Sequence, residues 1–213
     1  MDVSEIRDSY YLMLLKIGAM YSSIGLVNNA EKKYIKIIKD GASKQIEDIA
    51  KLNLSSIKYS RGEITDILIL LNNMEKRLYT KNSLFHYYNI MSDIYLFYYK
   101  DPMTSERYIH KLNRITETPL GILKLCYCEL LKNDTNNAKK YYDIYCTLIK
   151  DSPLIFISEE NKKKSSFRTK MVMPKQIEYY KYYILYKYFI KLNDKKRATF
   201  YYSKYPKKFP FIK

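Results

Sequence analysis

Apolar residues along this chain recur with the three- and four-residue spacing of helices that bury one face. The clearest stretch runs Leu14, Ile17, Gly18, Tyr21, Gly25, Ala30, Tyr34 and Ile37, with small residues set among bulky ones. Tightly crossing helices need that arrangement, because small residues let the backbones approach while large ones fill the space beside them. Aligning the residue that opens each second helix gives units beginning near 11, 48, 85, 119 and 179. A period in the thirties marks stacked helix pairs, each of which buries its apolar face only against a neighbour.

The first unit predicts helices over about 4–25 and 28–39, stopped by Asp40-Gly41, with Asn28 or Asn29 as N-cap of the second. The next unit has Ile46, Ile49, Leu52 and Ile57, a turn at Ser60-Arg61-Gly62, then Ile64, Ile67, Leu68, Leu71 and Met74. Asp101-Pro102 and Thr118-Pro119 each read as a cap followed by a first-turn proline, where the missing N–H costs nothing. The last unit has Tyr182, Leu185 and Phe189, then Ala198, Tyr202 and Tyr205, before Pro206 ends the helix.

Three of these units resemble the tetratricopeptide repeat family: Gly18, Tyr21, Ala30, Tyr34; then Leu125, Cys126, Ala138, Tyr142; then Leu185, Ala198, Tyr202. The other two depart from its pattern, with Ile67 and Thr104 where the family prefers alanine. The resemblance implies an all-α fold, a right-handed superhelical stack of about five antiparallel helix pairs whose first helices line a concave groove. The whole chain, 1–213, reads as a single such domain. Starts lie 37, 37, 34 and 60 residues apart, so the last interval holds an insert at about 152–176; a basic tail occupies about 204–213.

Composition supports helix throughout: 5 glycines and 6 prolines in 213 residues leave few breakers. The net charge of +16 changes the picture because it is lopsided. Residues 1–106 carry 14 basic and 13 acidic side chains, whereas 107–213 carry 24 and 9. That asymmetry points to an acidic partner for the C-terminal half. The basic surface gathers Lys162, Lys163, Lys164 and Arg168 of the insert, Lys195, Lys196 and Arg197, and Lys207 and Lys208 of the tail.

Candidate chemistry is sparse. His86 and His110 stand alone, and Cys126, Cys128 and Cys146 lack metal or redox spacing; the cysteines read as small buried hydrophobes of a reducing compartment. No phosphate loop or nucleophile elbow occurs, so neither enzyme activity, cofactor, metal nor small-molecule substrate is expected. The apolar stretch Tyr10 to Val27 holds Lys16 and has an acidic flank, which fits neither a signal peptide nor a spanning helix. A cytoplasmic location follows, with peripheral membrane contact open.

The repeat register places Asn53, His86, Asn89, Asp93, Tyr127, Tyr183 and Lys187 along the groove. Asn53 and Asn89 suit a peptide backbone, since one amide donates and accepts. Leu15, Ala19, His86 and Ile90 stand where some family members carry a carboxylate clamp, which argues against that mode of binding. The expected function is therefore that of a non-enzymatic adaptor for a protein or peptide, acidic in character. The alternatives are a nucleic-acid-associated regulator using the basic C-terminal surface, and a peripheral binder of an anionic membrane. In the run Tyr179 to Tyr188, helix geometry assigns most of the rings to packing rather than to base stacking.

Overall fold

Within each of the five units the chain passes from its first helix to its second through a residue in the left-handed conformation. These residues are Gly25, Gly62, Lys100, Asn133 and Asn193, spaced 37, 38, 33 and 60 apart. After each, a backbone N–H reaches back to close the preceding helix: Leu26 to Tyr21, Glu63 to Lys58, Asp101 to Tyr95, Asp134 to Glu129 and Asp194 to Phe189. Four of the five closures span five residues, the Schellman arrangement that satisfies carbonyls left over at a helix end. The third spans six, because its helix ends in a π-helical turn, Ile94–Tyr98, that carries one extra residue.

A computed structural model describes residues 3–78, 80–151 and 175–204. Those residues are all-helical, with no strand among them. The helices are α1 (Val3–Ser23), α2 (Val27–Lys39), α3 (Lys44–Arg61), α4 (Ile64–Leu71), α5 (Lys81–Asp93), α6 (Pro102–Ile115), α7 (Pro119–Leu131), α8 (Thr135–Asp151), α9 (Lys175–Lys191) and α10 (Lys195–Lys204). The expected insert at 152–174 and tail from 205 lie outside the described residues, as does the stop at Pro206.

The chain divides into two compact units between Ile94 and Tyr95. In the first, α3 packs against α1, α2, α4 and α5, and α1 against α2. Its core gathers Leu14, Ala30, Tyr34, Ile37, Ala50, Leu54 and Ile57. In the second, α7 packs against α6, α8 and α9, and α9 against α10. Every α7 residue from Gly121 to Leu130 is buried. Cys126 and Cys128 are among them, free and fully buried as expected, with burial raising each thiol to about 12.

The sequence signals for the turns hold at Gly41, Gly62, Asp101-Pro102 and Thr118-Pro119. Asp101 accepts from the Thr104 N–H at 3.1 Å, and Thr118 from the Gly121 N–H at 3.0 Å. Two expectations are corrected. The residue preceding α2 is Leu26, not Asn28 or Asn29; Asn28 lies inside the first turn, where its side chain accepts from Arg61 at 2.9 Å. Nor is Thr104 the buried small residue of the third unit. The extra π-turn residue moves that role to Ser105, which is fully buried like Ala30, Ile67 and Ala138. Each of these, and Ala198, donates its N–H to the carbonyl of the residue just past the left-handed position.

Candidate functional site

In the first unit, α3 and α5 bring several of the expected groove residues together. Ser56 on α3 lies 2.7 Å (Oγ to Nε2) from His86 on α5, and the Tyr59 hydroxyl donates to Asp93 Oδ2 at 3.0 Å. Asp93 is buried; Asn53, His86 and Asn89 are half-buried. A carboxylate taken out of water needs such donors, so the Tyr59 bond fixes Asp93 as part of the α3–α5 packing.

Burial lowers the pKa of His86 below its ordinary 6.5. The neutral ring is thus the form the fold favours, and its contribution is present above about pH 6.5 and is lost as pH falls through the lowered value. Denaturant midpoints for the native chain should therefore drop between about pH 7.5 and about pH 5. In His86→Gln, which keeps a polar partner for Ser56, that drop should shrink; an identical drop in both chains would contradict the burial argument.

In the second unit, the expected residues Tyr127, Tyr183 and Lys187 meet. The Tyr127 and Tyr183 hydroxyls lie 3.2 Å apart, so one phenol donates to the other. Burial raises both phenol pKa values, which keeps the pair neutral. Phe97 stacks on Tyr127 at 5.8 Å and on Tyr180 at 4.3 Å between ring centroids, and meets Tyr183 edge-on. Two ammonium groups approach this aromatic cluster: Lys187 Nζ sits 5.4 Å and Lys100 Nζ 5.9 Å from the centre of the Tyr183 ring.

Lys100 was not singled out by the sequence pattern, and its backbone is unusual. The other non-glycine residues described with positive φ are Asn73, Asn133 and Asn193; Lys100, at φ 55°, is the exception. Asparagine tolerates that region, whereas a longer side chain pays about 1–2 kcal/mol for it. Burial and the nearby charge of Lys187 lower the Lys100 pKa. No carboxylate pairs with Lys100 or Lys187 among the described residues. The strained residue therefore holds a second positive charge beside the first, with no carboxylate against either among the described residues.

The basic surface is partly seen. Lys195 and Lys196 are exposed, while Arg197 pairs with Asp194 and lies 4.4 Å over Phe189. Lys162, Lys163, Lys164, Arg168, Lys207 and Lys208 lie outside the described residues. A second basic strip was missed: Arg107, Lys111 and Arg114 follow one another at i, i+4 and i+7 on α6, flanked by His110. That helical spacing was the available signal. Among the described residues no cluster of three or more His, Cys, Asp or Glu could hold a metal, and no helix is long and apolar enough to cross a membrane. Compared with protein-family models, curated proteins and solved structures, the chain matches none.

Proposed function

We propose that the chain is a non-enzymatic helical-repeat binding protein, a stack of five antiparallel helix pairs that docks an acidic peptide or protein segment. The observation that carries this reading is the pair of ammonium groups, Lys100 and Lys187, converging on Tyr183 without a carboxylate partner among the described residues. Like charges held together repel one another, so a bound carboxylate lowers the energy of both. The five equivalent turns, four of them followed by a buried small residue (Ala30, Ser105, Ala138 and Ala198), support the tetratricopeptide-like arrangement in which first helices line a common groove. The net +15 of residues 107–213 supplies long-range attraction that salt weakens.

Fluorescence anisotropy with a labelled Glu- and Asp-rich peptide tests this. Lys100→Gln/Lys187→Gln should weaken binding by about 10–100-fold, the effect of losing two partly desolvated charge contacts. Lys100→Gly is the sharper variant, because it removes one charge while relieving the left-handed strain. It should raise stability by about 1 kcal/mol and yet weaken binding, so weaker binding is not a sign of unfolding. Unchanged peptide affinity in both variants would sink the assignment.

The strip on α6, of which Arg107 and Arg114 are exposed, favours the nucleic-acid alternative, which the same titration separates. Single- and double-stranded oligonucleotides would then bind with a steep salt dependence and lose affinity in Arg107→Gln/Arg114→Gln rather than in the Lys100 and Lys187 variants.

A further inference from the structure

Helix α1 is apolar on two sides, and the first unit covers one of them. Tyr11, Leu14, Leu15 and Gly18 face its core. On the other side Ile6, Tyr10, Met13, Ile17, Met20 and Ile24 follow one another at intervals of four, three, four, three and four residues. That alternation is the seam of a helix packed lengthwise against another helix. The Ile24 N–H still bonds the Met20 carbonyl at 3.2 Å, so the stripe keeps helical register to its last member. Five of the six are 43–62% exposed, and Ile17 is half-buried.

The stripe is presented by a fixed element. Arg7 Nη2 donates to the carbonyls of Asp40 at 2.7 Å and Gly41 at 2.8 Å, tying the start of α1 to the end of α2. Lys16 is the one charge between Tyr10 and Leu26.

We infer that this face pairs with the same face of a second copy of the chain. Two observations select that occupant. The spacing reads the same in both directions, so a two-fold axis near Leu15 sets Ile6 opposite Ile24, Tyr10 opposite Met20 and Met13 opposite Ile17 of the second copy. Tyr10 against a methionine sulfur is a favourable aromatic contact. Residues 1–106 are nearly neutral, at net +1, so two copies meet here without the repulsion that the basic half would bring. The five half-exposed side chains of the stripe offer on the order of 500–600 Å², a modest interface beside the about 800 Å² per partner typical of a stable one.

Sedimentation equilibrium of the full chain from about 1 to 100 μM tests the pairing. The native protein should run at twice its 25.6 kDa chain mass at the upper end. Met13→Glu/Met20→Glu should stay monomeric throughout with an unchanged circular-dichroism melt, because both side chains are exposed. Ile69→Glu, at an exposed position on α4 off the stripe, should leave the dimer intact. Should the double variant melt early, Met20→Gln still has to weaken dimerisation at least about ten-fold. A native chain that is monomeric at 100 μM, or a dimer indifferent to the stripe variants, overturns the inference. So does a monomeric native chain that sediments with anionic phospholipid vesicles and loses this in the double variant, which would assign the face to a membrane.

Discussion

Gly18→Leu should unfold the first unit at temperatures where the native chain is stable, with a loss of about 3 kcal/mol or more. A Cβ added at Gly18 would lie 2.6 Å from Tyr34 Cε1 and 2.9 Å from its Cζ, closer than real side chains approach. Tyr34 cannot step aside cheaply, because it is almost fully buried among Ala30, Ile37 and the α1 core residues. Gly18→Ala is the finer measurement. Alanine gains about 1 kcal/mol of helix propensity over glycine, against about 1–3 kcal/mol for overpacking, so the net loss is modest. Removing the obstacle gives the decisive result. Tyr34→Ala alone should cost about 3–5 kcal/mol through its cavity, yet combined with Gly18→Leu the total should fall short of the sum by at least about 1 kcal/mol. Additive losses in denaturant melts would show that Gly18 and Tyr34 do not share one space.

The same register explains what could be read from the sequence and what could not. Seven residues before the left-handed position stand Gly18, Ser55 and Cys126, and eight before it Ser92; all four are buried. The periodicity of large and small residues was sufficient to place these crossings, because packing constrains volume at fixed helical spacing. The fifth unit has Tyr186 at the equivalent place, and its ring lies 5.2 Å from that of Tyr202, which stays exposed. A bulky residue in a slot meant for a small one pushes its counterpart outward.

The π-helical turn at Ile94–Tyr98 was not legible, because one added residue changes no composition and only shifts the phase between two helices. That shift hid Ser105 behind Thr104, and it hid Lys100, whose left-handed backbone no propensity rule assigns to lysine. The caps at Asp134 and Asp194, which accept from the N–H groups of Asn137 and Arg197, could have been found from the repeated Asn-Asp pair. For the site, Tyr127, Tyr183 and Lys187 follow from the register alone. Their grouping with Phe97 and Lys100 depends on a turn whose length the pattern does not record.

Arg77→Met should cost about 3–5 kcal/mol, from a residue outside every repeat motif. Asp48 on α3 is 1% exposed, and its carboxylate accepts from Arg77 Nε at 2.9 Å and from Nη2 at 3.3 Å. Arg77 comes from the short 3₁₀ turn Glu75–Arg77 and also donates from Nη1 to the Asn73 carbonyl at 2.9 Å. One guanidinium thus fastens the chain after α4 to α3 and neutralises a charge that water cannot reach. Its planar fork makes the bidentate contact; the single ammonium of Arg77→Lys does not, so that variant should lose about 1–2 kcal/mol. Most of the larger loss in Arg77→Met comes from the stranded Asp48 carboxylate rather than from the missing attraction. The double variant Asp48→Leu/Arg77→Met should therefore recover most of the stability, because no buried charge remains to be solvated. Urea melts of the two single variants and the double variant separate the two sources. If the double variant melts no later than Arg77→Met alone, the pair holds the turn by geometry, and the stranded charge is not what destabilises it.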